Sequence, residues 1–131
     1  KLYTTTFYRR LAAHLAPGGI AAIQSTSPLV TRRAFWSVVA TVRAAGLDAV
    51  PYHAPVPTFG EWGFVLASRE PYRVPDALPP GLRFLTPGGL PSLFEFPADM
   101  AAVPVEVNQL NNQILVQYHT EGWGDYAGAR P

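Results

Sequence analysis

A chain of 131 residues, 48% hydrophobic and 15% charged, can bury one core, which excludes an intrinsically disordered protein. Its net charge of +1 and scattered arginines leave no electrostatic surface for nucleic acid. The absence of cysteine excludes disulfides and thiolate metal sites, and no apolar run is long enough to span a bilayer.

A first helix is predicted after the threonines at 4–6, one of which supplies the N-cap. Its apolar stripe is Phe7, Leu11 and Leu15, at the i, i+4, i+8 spacing of one helix face. The Pro-Gly-Gly sequence at 17–19 ends it.

The apolar run Ile20–Ile23 predicts a strand buried on both faces, as in a parallel sheet covered by helices. Ligands of such sheets bind beyond the carboxyl ends of the strands. The polar residues 24–27 follow this strand directly, so they are candidate ligand contacts.

A second helix is predicted to start at Ser27-Pro28 and to end at Gly46. Its buried stripe is predicted to be Ala34, Phe35, Val38, Val39 and Val42. Strands are then predicted at Leu47–His53 and Gly60–Ser68. Because the link between them is too short for a helix, they should pair antiparallel.

The prolines concentrate between 51 and 104, so residues 69–91 are predicted to be an irregular surface connection. A short helix near 91–102, an extended stretch at 104–107 and a last helix over 110–118 complete the prediction. The order helix, strand, helix, strand, strand predicts an α/β fold, the C-terminal half of a Rossmann-like, methyltransferase-type sheet. Residues 1–69 would form this half, and 70–131 a C-terminal extension packed on the same domain.

Four segments resemble one family: KLY-x3-FYR, GGIAAIQSTSP, PYHAPVPTFGEWGFVLAS, and LFEFPADM…VEVNQLNNQILVQYHTEGW. In this order they are similar to the C-terminal half of polyamine aminopropyltransferases, the spermidine synthase family. The resemblance implies transfer of an aminopropyl group from decarboxylated S-adenosylmethionine to putrescine, a reaction of polyamine biosynthesis that needs no metal.

The resemblance also places the glycine-rich turn, the ribose-binding acid and the catalytic aspartates of the family before Lys1. It therefore implies no catalytic residue in this chain, which would be inactive without the missing N-terminal half. The most similar members are bacterial, and the long ones carry transmembrane helices ahead of a cytoplasmic catalytic domain. A homo-oligomeric parent, anchored upstream, is thus expected.

Residue by residue, the resemblance implies that Leu2 packs on the adenine edge and that Gln24 hydrogen-bonds the amine end of the acceptor. It implies that Trp62 lines the methylene chain of the diamine. From the pattern alone, Gln24 could equally cap the next helix, and Trp62 could belong to the core because it alternates with Phe64 and Leu66.

The segment Pro57, Thr58 and Phe59 corresponds to a Pro-Thr-Tyr triplet of the family and implies a further part of the acceptor wall. The phenolic hydroxyl is missing here and the turn is shorter, which leaves the acceptor open. Glu61, near this turn, is interpreted as a solvated charge, with attraction of a cationic amine as the alternative.

His14, His53 and His119 have no metal-ligand spacing and are given no role. Trp123 is predicted to pin the last helix to the domain.

Two other functions stay open: an S-adenosyl-ligand protein with another acceptor or no catalysis, and a stand-alone interaction module. Because the strand Ile20–Gln24 would lack a neighbour on one side, the isolated chain is also expected to dimerise edge to edge, swap elements or aggregate, unless its C-terminal tail folds over that edge.

Overall fold

The computed structural model describes residues 1–128 as an α/β unit. The elements in order are α1 (Thr5–His14), β1 (Ile20–Gln24), α2 (Arg32–Ala44), β2 (Asp48–Val56), β3 (Gly60–Ser68), a 3-10 turn (Pro91–Phe94) and α3 (Ile114–Gly128). The predicted sequence of helix, strand, helix, strand, strand is confirmed.

The three strands form one sheet in the order β1-β3-β2, in which β3 is antiparallel to both neighbours. Ser68 of β3 faces Ile20 on one side and Asp48 on the other. β1 and β2 therefore run parallel to each other and are joined through α2. This arrangement is consistent with the closing half of a methyltransferase-type sheet, as the sequence predicted.

One face of the sheet carries the core. Alternate strand residues turn inward to a cluster with α1 and α2, and its buried members include Tyr8, Phe35, Val38, Val39, Val42, Ala49, Val65 and Ala67. Burying a Val or Phe side chain stabilises a fold by roughly 1.5–3 kcal/mol, so this cluster is the main source of stability. The predicted stripe of α2 is buried throughout.

α2 differs from the prediction in where it starts, and α1 differs in which aromatic residue it buries. α2 starts at Arg32 because Ser27 first forms a turn, in which its Oγ accepts the N–H groups of Leu29 and Val30. α1 starts with Thr4 as N-cap, as predicted, but buries Tyr8, while Phe7 remains 37% exposed beside β1.

The C-terminal part also differs. The short helix predicted near 91–102 is only the 3-10 turn, and the last helix is shifted from 110–118 to Ile114–Gly128. Trp123 is 40% exposed, and its hydrogen bond and ring contacts are with His119 and Tyr126 of the same helix, so its role in pinning α3 stays a prediction. Ile114 and Tyr118 are the buried residues of α3 and pack against Ala34 of α2.

The two edges of the sheet are unlike each other. At β2, the segment 91–96, here called the strap, wraps the edge: Phe94 packs on Tyr52, with ring centroids 5.8 Å apart, and Phe96 packs on His53 at 4.9 Å. Within residues 1–128, β1 has no strand on its other side. No helix of these residues has the length and apolarity needed to cross a membrane.

Candidate functional site

A cleft of about 350 Å³ lies at the carboxyl end of β1. Its walls come from five parts of the chain, the approach to α1, the end of β1, α2, β3 and α3, and they are Tyr3, Gln24, Ser25, Thr26, Ala34, Val38, Trp62, Leu115 and His119. The sequence predicted this end of β1 as the place for a ligand.

The backbone at the end of β1 directs Ser25 into the cleft. Ser25 N–H donates to the carbonyl of Gly63 (2.9 Å), and Gly63 N–H donates to the carbonyl of Thr26 (3.1 Å). Two residues of one strand thus face one residue of the other, which is a bulge and redirects a side chain. Ser25 is 5% exposed, and its Oγ has no hydrogen-bond partner among the described residues.

Tyr3, in the approach to α1, forms part of the cleft wall. Its Oη donates a hydrogen bond of 3.0 Å to the backbone carbonyl of Gln24. Because that contact uses the hydroxyl proton, the oxygen can only accept from a ligand. Tyr3 also has φ of 61°, a left-handed conformation that costs a non-glycine residue about 1–2 kcal/mol.

The hydroxyl of Thr26 lies 2.6 Å from that of Thr31, and either of the two can donate the proton. When Thr31 Oγ1 donates instead to the carbonyl of Ser27 (3.0 Å), Thr26 donates to Thr31. In that arrangement Thr26 Oγ1 presents only lone pairs to the cleft.

Trp62 supplies an apolar wall and one donor. Its Nε1 is buried without a partner among the described residues. Its ring lies 5.4 Å from that of Phe59, centroid to centroid, and Phe59 itself is 67% exposed. The indole is therefore both a surface for methylene groups and a donor without an acceptor.

α3 closes the cleft with Leu115 and His119. His119 Nε2 accepts the indole N–H of Trp123 at 3.2 Å, so the proton of a neutral His119 ring is on Nδ1. α3 approaches α2 closely at Gly122, where a Cβ atom would lie 2.8 Å from the Cα of Thr31.

A larger hollow of about 680 Å³ adjoins the cleft and contains Leu2; we call it the Leu2 hollow. Tyr3 and Leu115 line both cavities and so form the wall between them. Leu2 is 64% exposed, and Leu110 and Val116 add further exposed apolar surface.

The predicted site residues thus fall into three places. Gln24 and Trp62 lie together in the cleft, and Leu2 lies in the adjoining hollow. Pro57, Thr58 and Phe59 form the exposed tip of the β2–β3 hairpin, and the ring of Phe59 contacts Trp62 of the cleft.

Glu61 does not line the cleft. Its carboxylate bonds His53 Nδ1 at 2.8 Å, and His53 Nε2 is 2.6 Å from the carbonyl of Glu95 in the strap. Among residues 1–128, no carboxylate lines the cleft, and no three His, Cys, Asp or Glu side chains are grouped so that they could hold a metal ion.

Three residues of the cleft wall were not predicted from the sequence: Tyr3, Leu115 and His119. Tyr3 follows Leu2 in the sequence, so the adenine contact implied for Leu2 could have indicated Tyr3 as well. Leu115 and His119 are four residues apart on one helix face, but nothing in their pattern indicates that α3 reaches a strand more than 90 residues away.

Comparison with known proteins gives a consistent result. The model of the spermine/spermidine synthase domain family matches residues 1–76. A polyamine aminopropyltransferase of Leptospira interrogans is 44% identical over 94% of this chain, and polyamine aminopropyltransferase 2 of Ralstonia nicotianae is 46% identical over 94%. One from Mycobacterium tuberculosis is 40% identical over 94%. The chain spans about a quarter of the length of each (25%, 24% and 24%).

Proposed function

Because this chain belongs to the spermine/spermidine synthase family, we propose that its cleft is the acceptor side of an aminopropyltransferase. It would hold an amine end of a diamine such as putrescine. The amine nitrogen would form a bond to the aminopropyl carbon of decarboxylated S-adenosylmethionine as the carbon–sulfur bond breaks, and the amine would lose a proton.

One observation carries the proposal: Tyr3 Oη gives its proton to the Gln24 carbonyl, and Thr26 Oγ1 can give its proton to Thr31. Oxygens whose protons are used in this way accept hydrogen bonds and suit the N–H groups of an amine. They hold the nitrogen at the end of β1, and such positioning of reactants lowers a barrier by several kcal/mol, on the order of 7–11 at best.

The remaining walls suit the carbon chain of a diamine. Trp62, Leu115 and Val38 offer apolar surface along the cleft. Phe59 extends that surface towards the hairpin tip through its contact with Trp62. Gln24 adds an amide at the mouth, where it can bond either an amine or a solvent molecule.

The adjoining Leu2 hollow suits the co-substrate. Its exposed Leu2, Leu110 and Val116 surfaces fit a planar adenine ring, and Leu2 is the residue proposed to touch it. The sulfonium of the co-substrate supplies the electrophilic carbon. Because no carboxylate of the described residues lines the cleft, the base that takes the amine proton is proposed to lie outside this chain. The isolated chain should then bind amine without transferring an aminopropyl group.

The test is to titrate the chain with putrescine and to monitor binding through the NMR signal of the Trp62 indole N–H. Thr26→Val removes one accepting oxygen at nearly constant volume and should weaken binding about tenfold, as for the loss of about 1.4 kcal/mol. Thr120→Val, an exposed hydroxyl of α3 outside the cleft, should leave the affinity unchanged. Absence of any putrescine-dependent shift, or spermidine formation by the chain alone, would contradict the proposal.

One observation favours a second acceptor class. Phe59 has no hydroxyl, and no acidic side chain of the described residues lines the cleft, so no negative charge there pairs with a second ammonium group. A monoamine such as butylamine should then bind about as well as putrescine. Clearly tighter binding of putrescine would favour the diamine.

A further inference from the structure

One wall of the cleft combines two segments that are far apart in the sequence. Tyr3 precedes α1, and Leu115 lies in the first turn of α3, yet the two residues form the wall shared by the cleft and the Leu2 hollow. A wall made of distant segments needs a group that fixes their spacing.

Asn108 is that group. Its Nδ2 donates to the backbone carbonyl of Tyr3 (2.9 Å), and its Oδ1 accepts the backbone N–H of Leu115 (3.2 Å). Each end of one side-chain amide thus holds one half of the wall.

The backbone of Asn108 is fixed as well. Its N–H donates to Thr41 Oγ1 of α2 (2.9 Å), and its carbonyl accepts the N–H of Thr5 (3.2 Å). Asn108 is only 4% exposed. A buried amide that is hydrogen-bonded at both its nitrogen and its oxygen has a fixed position, because moving it would leave polar groups unpaired.

The residue that Asn108 holds is one that would not stay in place by itself. Tyr3 has the left-handed φ of 61°, and such a conformation persists only when surrounding contacts determine it. Asn108 fixes the Tyr3 carbonyl, and the Tyr3 hydroxyl reaches Gln24 at the other end of the side chain.

We propose that Asn108 is a positioning residue of the reaction: it sets the wall between amine and co-substrate by holding Tyr3 and Leu115. This rests on the proposed function of the cleft. Asn108 lies beyond residue 76, where the family match ends, so the proposal gives the C-terminal segment a part in substrate alignment.

A matched control exists four residues away. Asn112 also bonds three backbone groups, since its Oδ1 accepts from Gln109 and Ile114 and its Nδ2 donates to Val107. None of these partners lines the cleft, and of the three only Gln109 lines the Leu2 hollow. A purely structural asparagine would behave like Asn112.

The experiment compares Asn108→Leu with Asn112→Leu in the full chain by NMR. Asn108→Leu should displace the backbone signals of Tyr3, Gln24 and Leu115 and the Trp62 indole signal, and raise the Kd for putrescine about tenfold. Asn112→Leu should change the Kd less than twofold and displace signals only around residues 107–114.

A second variant serves if Asn108→Leu does not fold. Asn108→Asp keeps an acceptor for Leu115 but sets a carboxylate oxygen against the Tyr3 carbonyl, so the Tyr3 and Gln24 signals should move more than that of Leu115. Equal signal changes in the Asn108 and Asn112 variants would overturn the positioning role, whether or not putrescine binds. Unchanged wild-type signals on adding putrescine would instead count against the proposed function alone.

Discussion

Tyr8 shows how a single buried hydroxyl can limit stability. Its ring is fully buried in the core, and its Oη has no partner among the described residues. Burial, with a smaller contribution from nearby Tyr3, raises the pKa of this hydroxyl far above its ordinary value of 10.0. The folded chain therefore holds the neutral phenol more strongly than the unfolded chain does.

Stability should consequently fall as the pH rises above about 10, because the unfolded state then loses a proton that the folded state keeps. The free energy of unfolding then falls by about 1.4 kcal/mol per pH unit for one such group. Burial also raises the pKa of Tyr52, so Tyr52 adds to this loss. Tyr8→Phe should reduce this slope and, at pH 7, raise the free energy of unfolding by up to about 1 kcal/mol. Urea denaturation of both proteins at pH 8 and pH 11 measures the pH dependence of stability and the effect of the substitution. If Tyr8→Phe were less stable than the wild type, the Tyr8 hydroxyl would have a hydrogen-bond partner.

Gly63 joins the core to the cleft. A Cβ atom there would lie 2.3 Å from Phe35 Cε2 and 2.7 Å from the carbonyl oxygen of Thr26. Gly63→Ala should therefore cost about 1–3 kcal/mol, since overpacking forces the neighbours apart. Gly124→Ala, where a Cβ would meet nothing within 4 Å, is the control and should be neutral or stabilising. Thermal unfolding followed by circular dichroism separates them, and equal melting temperatures would contradict the packing argument.

At the level of elements, regular patterns predicted well and long-range contacts did not. The alternation from Gly60 to Ser68 gave the bounds of β3 because a strand face repeats every second residue. α3 was misplaced for two physical reasons. Gln113, with φ of 48°, prevents an earlier start, and Gly122 continues the helix because it permits the close approach to α2.

The same distinction applies to the cleft. Gln24 was predicted because ligands bind at strand ends, and Trp62 because of the family resemblance; both line the cleft, and their binding roles stay predictions. His119 could not be predicted, because its place in the cleft depends on α3 reaching the end of β1. The geometry of that meeting depends on Asn108, whose four partners lie up to 105 residues away.

For the whole molecule, the unpaired edge of β1 decides how the isolated chain behaves. β1 lies beside the exposed side chains of Leu2 and Phe7, so its unpaired edge and this apolar surface form one continuous region that favours association. We expect the chain to associate through β1, and Ala22→Lys, at an exposed position of this strand, should prevent it. Thr120→Lys on α3 is the control. Light scattering measures the mass, and a monomeric wild type would refute the expectation.

The covered β2 edge limits what such association can build. Pro51 and Pro55 lack amide protons, so they cannot donate to an added strand, and the strap lies against Tyr52 and His53. In a pair of chains joined through their β1 strands, the two outer strands would both be β2, and a third chain would meet only these covered edges. Self-assembly through strand edges should thus stop at a symmetric dimer with six strands in total. Edge-to-edge pairing of this chain is then expected to give a closed dimer and not an open-ended fibre.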